Sequence, residues 1–280
     1  MRTIVSCLVF AFMTAFFGMS VNAAADTGFV LDMSNVENGT IDIRYAGNDH
    51  PVVNVSVIGP TGVRQQYLRI RNDGEYEAIP LSDGSGMYRI QVARQVPDGR
   101  FALALSCDLY VTLSCERAPF LQSNVRVDFK NAPETVAKAE TVTAGLETEV
   151  EIISAIFEFV ISNFEYNYEL AASIEAGAFH RVNLDTALEN GSGVCYDISA
   201  VTVGMLRSRG IPARLIFGYV GDVYHAWVDV YSKESGRIDD FIRLRGDSWN
   251  LLDPTIVLTG GEAGARFSGN PANYEARFIF

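Results

Sequence analysis

From Phe29 to about residue 130, apolar and polar residues alternate in short blocks separated by turn clusters. "TIDIRYAG", "PVVNVSVIGP", "RQQYLRI", "GMYRIQVARQV" and "RFALALSCDLYVTL" have the period of strands whose two faces meet different environments. Between them fall Gly59-Pro60-Thr61-Gly62, Asn72-Asp73-Gly74 and Pro97-Asp98-Gly99, residue types that favour tight turns. Strands at such spacing predict a β-sandwich of immunoglobulin-like type. The pattern changes near Pro133. Between Glu134 and Phe164 the chain is rich in Ala and Glu, and Val150, Ile153, Phe157, Val160 and Ile161 recur at helical spacing. An amphipathic helix is expected there, with a domain boundary near residue 131.

A second helix is delimited by its punctuation. In "NGSGVCYDISAVTVGMLRSRGIPARLIFGYV", Ser192 is a plausible N-cap, which puts Cys195 in the first helical turn. Arg207 and Arg209 suit the negative end of the helix dipole, Gly210 suits the position after the C-cap, and Pro212 blocks continuation. The strands "ARLIFGYV", "YHAWVDVYS" and "SWNLLDPT" follow. A helix leading into neighbouring strands predicts an α+β domain with the helix packed on an antiparallel sheet.

Before all of this stands Arg2, an apolar run from Ile4 to Phe17, and the small-residue site Val21-Asn22-Ala23. That is the pattern of an export signal over residues 1–23. An uncleaved N-terminal anchor is the alternative, though the run is short for a membrane span. The expected division is therefore 1–23 signal peptide, 24–130 β-sandwich, and 131–280 α+β domain. The expected location is secreted or cell-surface, with no stable membrane span.

The formal charge of −12 argues against nucleic acid, whose binding relies on Lys and Arg to neutralise phosphate. No EF-hand loop, HExxH or zinc-type Cys pair is present, so neither a metal nor another cofactor is expected. Cysteine parity changes the picture more. Cys7 lies in the signal, and Cys107 and Cys115 flank "DLYVTLS", close enough to pair in an oxidising compartment. If they do, Cys195 is the odd thiol. It is then either a buried inert residue or a nucleophile.

A thiol attacks as its thiolate, which a helix N-terminus favours and a nearby imidazole creates by taking the proton. The chain has three histidines. His50 sits in a turn beside Pro51 and His180 in a loop before the Cys195 helix, whereas His225 lies in the strand "YHAWVDVY" with Trp227 and Asp229 on its face. If that face meets the helix, His225 is the base. An orienting carboxylate is needed on its other nitrogen. Asp253, in line with Trp249 and Leu251 and stopped by Pro254, is expected to take the Nδ1 proton. Asp229 competes, and is read as a structural or solvated acid.

Taken together, "GSGVCYDISAVTVGMLRSRGIPARLIFGYV", "YHAWVDVY" and "WNLLDPT" resemble the core of the transglutaminase-like superfamily, with the family's order of Cys, His and Asp. "IISAIFEFVISNFEYNYELA" resembles the helix and Y-x-Y approach upstream of the Cys in many bacterial members. The likeness covers about residues 133–256, and the β-domain resembles the N-terminal modules of secreted bacterial members only loosely.

It implies a papain-like fold and a Cys195, His225, Asp253 triad that acts on peptide or amide bonds through a thioester. The oxyanion would be held by the Cys195 N–H and by an upstream side chain, for which Tyr168 and Trp249 are the candidates. Water as acceptor makes a peptidase or amidase, the preferred reading, acting on extracellular protein or peptide or on cell-wall peptide. An amine acceptor makes a protein-glutamine transglutaminase. An exported adhesion module that retains the fold without catalysis is the third reading.

Overall fold

A computed structural model describes residues 28–45, 47, 52–71, 73–238 and 242–280, with the backbone of Ser20–Val21. The rest of the proposed export signal, and His50, lie outside the described residues. The chain divides into two compact units, Met1–Val125 and Arg126–Phe280.

The first unit holds two four-stranded sheets. In one, Ser20–Val21, Phe29–Asp32, Thr40–Tyr45 and Glu77–Pro80 lie side by side. In the other, the order is Arg64–Ile70, Val53–Ile58, Gly86–Gln95, Phe101–Val111. Every pairing is antiparallel. The alternation read in the sequence is a burial alternation: Val53, Val55 and Val57 are buried, as are Val92 and Ile90 opposite the last two, and Tyr88 further along that strand. A fully buried side chain of this kind stabilises by about 1.5–3 kcal/mol.

Tyr88 ties down its own corner, donating to the Gly84 carbonyl at 2.8 Å and accepting from the Asp83 N–H at 2.8 Å. Two short strands, Phe29–Asp32 and Glu77–Pro80, were too brief to stand out as periods. Strand structure ends at Val111; the expectation of β to about 130 is corrected by 3-10 turns at Ala118–Leu121 and Phe129–Asn131.

The second unit is α+β. The expected amphipathic stretch is two helices, Pro133–Val142 and Glu149–Asn163. The latter starts at a reciprocal cap, with Thr148 Oγ1 accepting from the Glu151 N–H and Glu151 accepting from the Thr148 N–H. It buries Ile153, Ile156, Phe157 and Val160. Short helices Tyr168–Glu175 and Leu184–Asn190 lead to the helix Cys195–Ser208. Every residue of that helix from Asp197 to Arg207 is buried. An element buried all round lies at the centre of its domain.

Beside it stands a four-stranded antiparallel sheet in the order Ser248–Leu252, Val223–Ser232, Ala213–Val220, Tyr274–Ile279. Ser199 Oγ, in the helix, donates to the Ala226 carbonyl of the strand. The turn from helix to sheet is locked by Arg207, whose Nε donates to the Ala213 carbonyl and whose Nη2 donates to that of Phe280. Arg207 thus stands in the last turn of its helix, as expected, and is buried there as a strut. Gly210, at φ +76°, takes the left-handed turn that ends the helix. Among the described residues no helix is long and apolar enough to cross a membrane.

Candidate active site

Cys195 is the first residue of its helix and is half-buried. The N-cap is Val194, not Ser192. Ser192–Gly193 forms a two-residue strand parallel to Glu165–Tyr166, and Asn167 N–H donates to the Gly193 carbonyl at 2.9 Å. An apolar cap supplies no side-chain acceptor, so the duty passes to Asp197, whose Oδ2 accepts from the Val194 N–H at 2.9 Å. Gly193 has a clear reason to lack a Cβ. One placed there would sit 2.4 Å from the Cβ of Asp197, so the glycine makes room for the capping carboxylate rather than for approach to the sulfur. Gly191, at φ +56°, ends the preceding helix.

The strand Val223–Ser232 carries His225 inward, 8% exposed. His225 Nε2 lies 2.8 Å from Asp253 Oδ2. The expectation of an Nδ1 contact is therefore corrected: Nε2 faces the carboxylate, and Nδ1 is left for the Cys195 side. Asp253 is also not a strand residue. The strand ends at Leu252, and Asp253 is the N-cap of the helix Pro254–Ser268. Its Oδ1 accepts from the Ile256 N–H at 3.0 Å, while its Oδ2 also accepts from the Tyr274 hydroxyl at 3.0 Å. The cap fixes Oδ1 on the first turn of its helix, which leaves Oδ2 to face His225 and Tyr274.

Asp253 is wholly buried. A buried carboxylate is tolerated only when hydrogen-bonded and paired, and here three donors meet it. Burial pulls the His225 imidazole down, but its bond to Asp253 and the Cys195 side chain beside it outweigh this and raise it to about 10. Trp227 backs the site, stacked on His225 and edge-on to Tyr274.

Other expectations resolve differently. Asp229 pairs across the sheet with Arg214 and stands away from His225 along the strand, half-buried rather than solvated. Burial, partly offset by Arg214, raises it to about 6. Among the described residues no disulfide joins Cys107, Cys115 or Cys195; Cys107 is buried and Cys115 exposed. The pairing that made Cys195 the odd thiol is absent, so its chemistry rests on its surroundings alone. Of the two candidates for a second oxyanion donor, Tyr168 is 72% exposed and turned edge-on to Tyr166. Trp249 lies on the edge strand beside that of His225, under Arg214 and against Tyr231.

Two residues that periodicity did not bring forward complete the site: Tyr274, which holds Asp253, and His180, whose Nε2 lies 2.8 Å from Asp197 Oδ1. Nothing in local spacing signals either one, because both reach the site from separate segments. Among the described residues no three His, Cys, Asp or Glu side chains gather as a metal site requires.

Residues 136–254 match the family model of the transglutaminase-like superfamily. Among solved structures, the chain is similar to a candidate cysteine protease from Cytophaga hutchinsonii, at 14% identity and a TM-score of 0.44, over 82% of this chain and 76% of that one. It is similar to red sea bream transglutaminase at 15% identity and a TM-score of 0.29, over 77% of this chain and 47% of that one. A further similarity is to a TGase at 19% identity and a TM-score of 0.37, over 48% of this chain and 34% of that one. The chain thus spans less than half the length of either of these last two. No curated protein sequence matches it. By the family match, residues 136–254 are a domain of the transglutaminase-like superfamily.

Proposed function

We propose that the second unit is a cysteine-dependent acyl-transfer enzyme with Cys195 as nucleophile, His225 as base and Asp253 as the group that orients it. One observation carries this: a buried imidazole with a carboxylate on Nε2 and the thiol of a helix N-terminus on its other side. Cys195 gives its proton to His225, and the thiolate attacks the carbonyl carbon of an amide. The oxygen takes the displaced electron pair as an oxyanion, met by the Cys195 N–H, which has no acceptor within its own helix. The oxyanion collapses, the C–N bond breaks, and the His225 proton leaves with the amine or ammonia. A thioester remains. An acceptor then attacks the thioester carbon and gives its proton to His225; the C–S bond breaks, the acyl product leaves, and that proton restores the thiol.

Water is the acceptor we assign, making the enzyme a peptidase or amidase. Cys195 is half-buried, and Val223 and Tyr224, which lead into His225, are exposed, so solvent reaches the site. With the N-terminal export signal, the substrate is an extracellular protein or peptide, or cell-wall peptide. We read the first unit as an immunoglobulin-like β-sandwich. Its support is the division of strands between two antiparallel sheets and the Tyr88 corner, a hydroxyl bonded back to the backbone at the start of a strand.

The test is incubation with a glutamine-containing peptide and excess labelled primary amine, using the parent protein and Cys195→Ala. Peptide cleavage or ammonia release dependent on Cys195 is the expected result. Incorporation of the amine would instead make it a transglutaminase. Neither reaction, with Cys195 slow towards iodoacetamide regardless of His225, would leave a non-catalytic module.

A further inference from the structure

Asp197 and His180 take no part in the chemistry above, yet they make as short a contact as His225 and Asp253 do. Asp197 is 4% exposed, at the third position of the Cys195 helix. One carboxylate oxygen accepts from the Val194 N–H and the other meets His180 Nε2. The Val194 carbonyl accepts from the Ile198 N–H at 3.1 Å. Val194 is therefore gripped at both its backbone polar groups. Its carbonyl shares a peptide plane with the Cys195 N–H, and in a trans peptide the two point in opposite directions. Holding that carbonyl along the helix aims the Cys195 N–H out of the helix start, where an oxyanion forms. His180 reaches Asp197 from the loop between the helices Tyr168–Glu175 and Leu184–Asn190, its ring edge-on to Tyr196.

We propose that His180 and Asp197 are positioning residues for the oxyanion site: His180 holds the Asp197 carboxylate in the orientation that fixes Val194 and so directs the Cys195 N–H. This rests on the reading of Cys195 as the nucleophile. The pair acts on acyl transfer, which passes through an oxyanion, and not on simple attack by the sulfur, which does not.

Two probes separate these. Iodoacetamide alkylates the sulfur by displacement of iodide, with no oxyanion. p-Nitrophenyl acetate acylates it: the sulfur bonds to the acetyl carbon, the ester C–O bond breaks through a tetrahedral oxyanion, and p-nitrophenolate leaves. Both are followed at Cys195 by peptide mass, since Cys115 is exposed and also reacts. Thermal melting checks that each variant is folded.

His180→Ala and His180→Phe, the second keeping a ring against Tyr196, should retain alkylation within about twofold but lose roughly tenfold or more in acylation, short of the ~10²–10³ for deleting a donor outright. His180→Gln, which can still donate to Asp197, should recover acylation to within about threefold of the parent. His225→Ala should lose both reactions. An unchanged ratio of acylation to alkylation in His180→Phe, with both still dependent on His225, overturns the proposal and leaves the nucleophile in place. If neither reaction depends on His225, the reading of Cys195 fails and the proposal fails with it.

Discussion

Two histidine–aspartate pairs flank Cys195, and both bring Nε2 to a carboxylate oxygen at 2.8 Å. They differ in what stands behind them. Asp253 caps one helix, accepts from Tyr274 and is wholly buried, and its histidine lies near the start of an interior strand, backed by Trp227. Asp197 caps the Cys195 helix, and its histidine comes from a loop with a fifth of its side chain exposed. Equal distances therefore conceal unequal roles. In the proposed function, the pair that shares His225 with Cys195 moves a proton, whereas the pair beside Val194 holds backbone. The lesson is that a short His–carboxylate contact acquires its chemistry from the group on the imidazole's other nitrogen.

The comparison can be broken first at His225. His225→Ala should reduce kcat/KM by on the order of 10²–10⁴, the range for losing a general base, measured with any amide or ester substrate that the parent turns over. A loss no greater than that of His180→Ala would erase the distinction.

Asp253→Ala should be the most destabilising of these changes, by about 3–5 kcal/mol in denaturant unfolding, because it leaves a buried partner uncompensated and removes a helix cap. Asp253→Asn, which keeps the cap, should cost less stability while still lowering activity. If Asp253→Ala melts like the parent and stays active, Asp253 has no part in the site.

A third measurement concerns pH. His225 is raised from 6.5 to about 10, so the fold favours its charged form. Its stabilising contribution is complete below about pH 6.5 and is lost as pH rises through about 10. The Tm advantage of the parent over His225→Gln should accordingly shrink across that window, and an NMR titration of His225 should show its midpoint moving down in Asp253→Asn. A gap that is flat from pH 6 to beyond 10 would contradict the coupling of His225 to Asp253.

The smallest effects are expected at the edges. Tyr274→Phe removes one donor to Asp253 and should cost about 1 kcal/mol and a few-fold in turnover. Asp229→Asn should change kcat/KM by less than about twofold, because its partner is Arg214 rather than His225. A large loss there would return Asp229 to the candidate list in place of Asp253.

Much of this was legible before any coordinates. The strand alternation around Val53–Val57 and Tyr88–Val92 was a burial pattern, and the Gly210 and Pro212 punctuation marked the end of the Cys195 helix. Cys195 at that helix start and His225 in its strand were found where the linear pattern put them, whereas Asp253, expected in a strand, is a helix cap. Features set by partners distant in sequence could not be read. Ser192 looked like a cap because residue type is a local signal, but pairing with Glu165 drew it into a strand and left capping to Asp197. Arg207 was placed at the helix end by its residue type, but its bonds to the carbonyls of Ala213 and Phe280 were set by residues beyond the helix. His180 carried no periodic signal at all.

The sequence by itself determined the kinds of groups, their order along the chain and the elements that carry Cys195 and His225, because period, caps and breakers act over a few residues. Tertiary structure decided which nitrogen of His225 faces which partner, that Asp253 is aimed by a helix cap rather than a strand, and that His180 meets Asp197. Those are contacts between elements. Their geometry follows from how helix and sheet pack, and local sequence exerts no force on it.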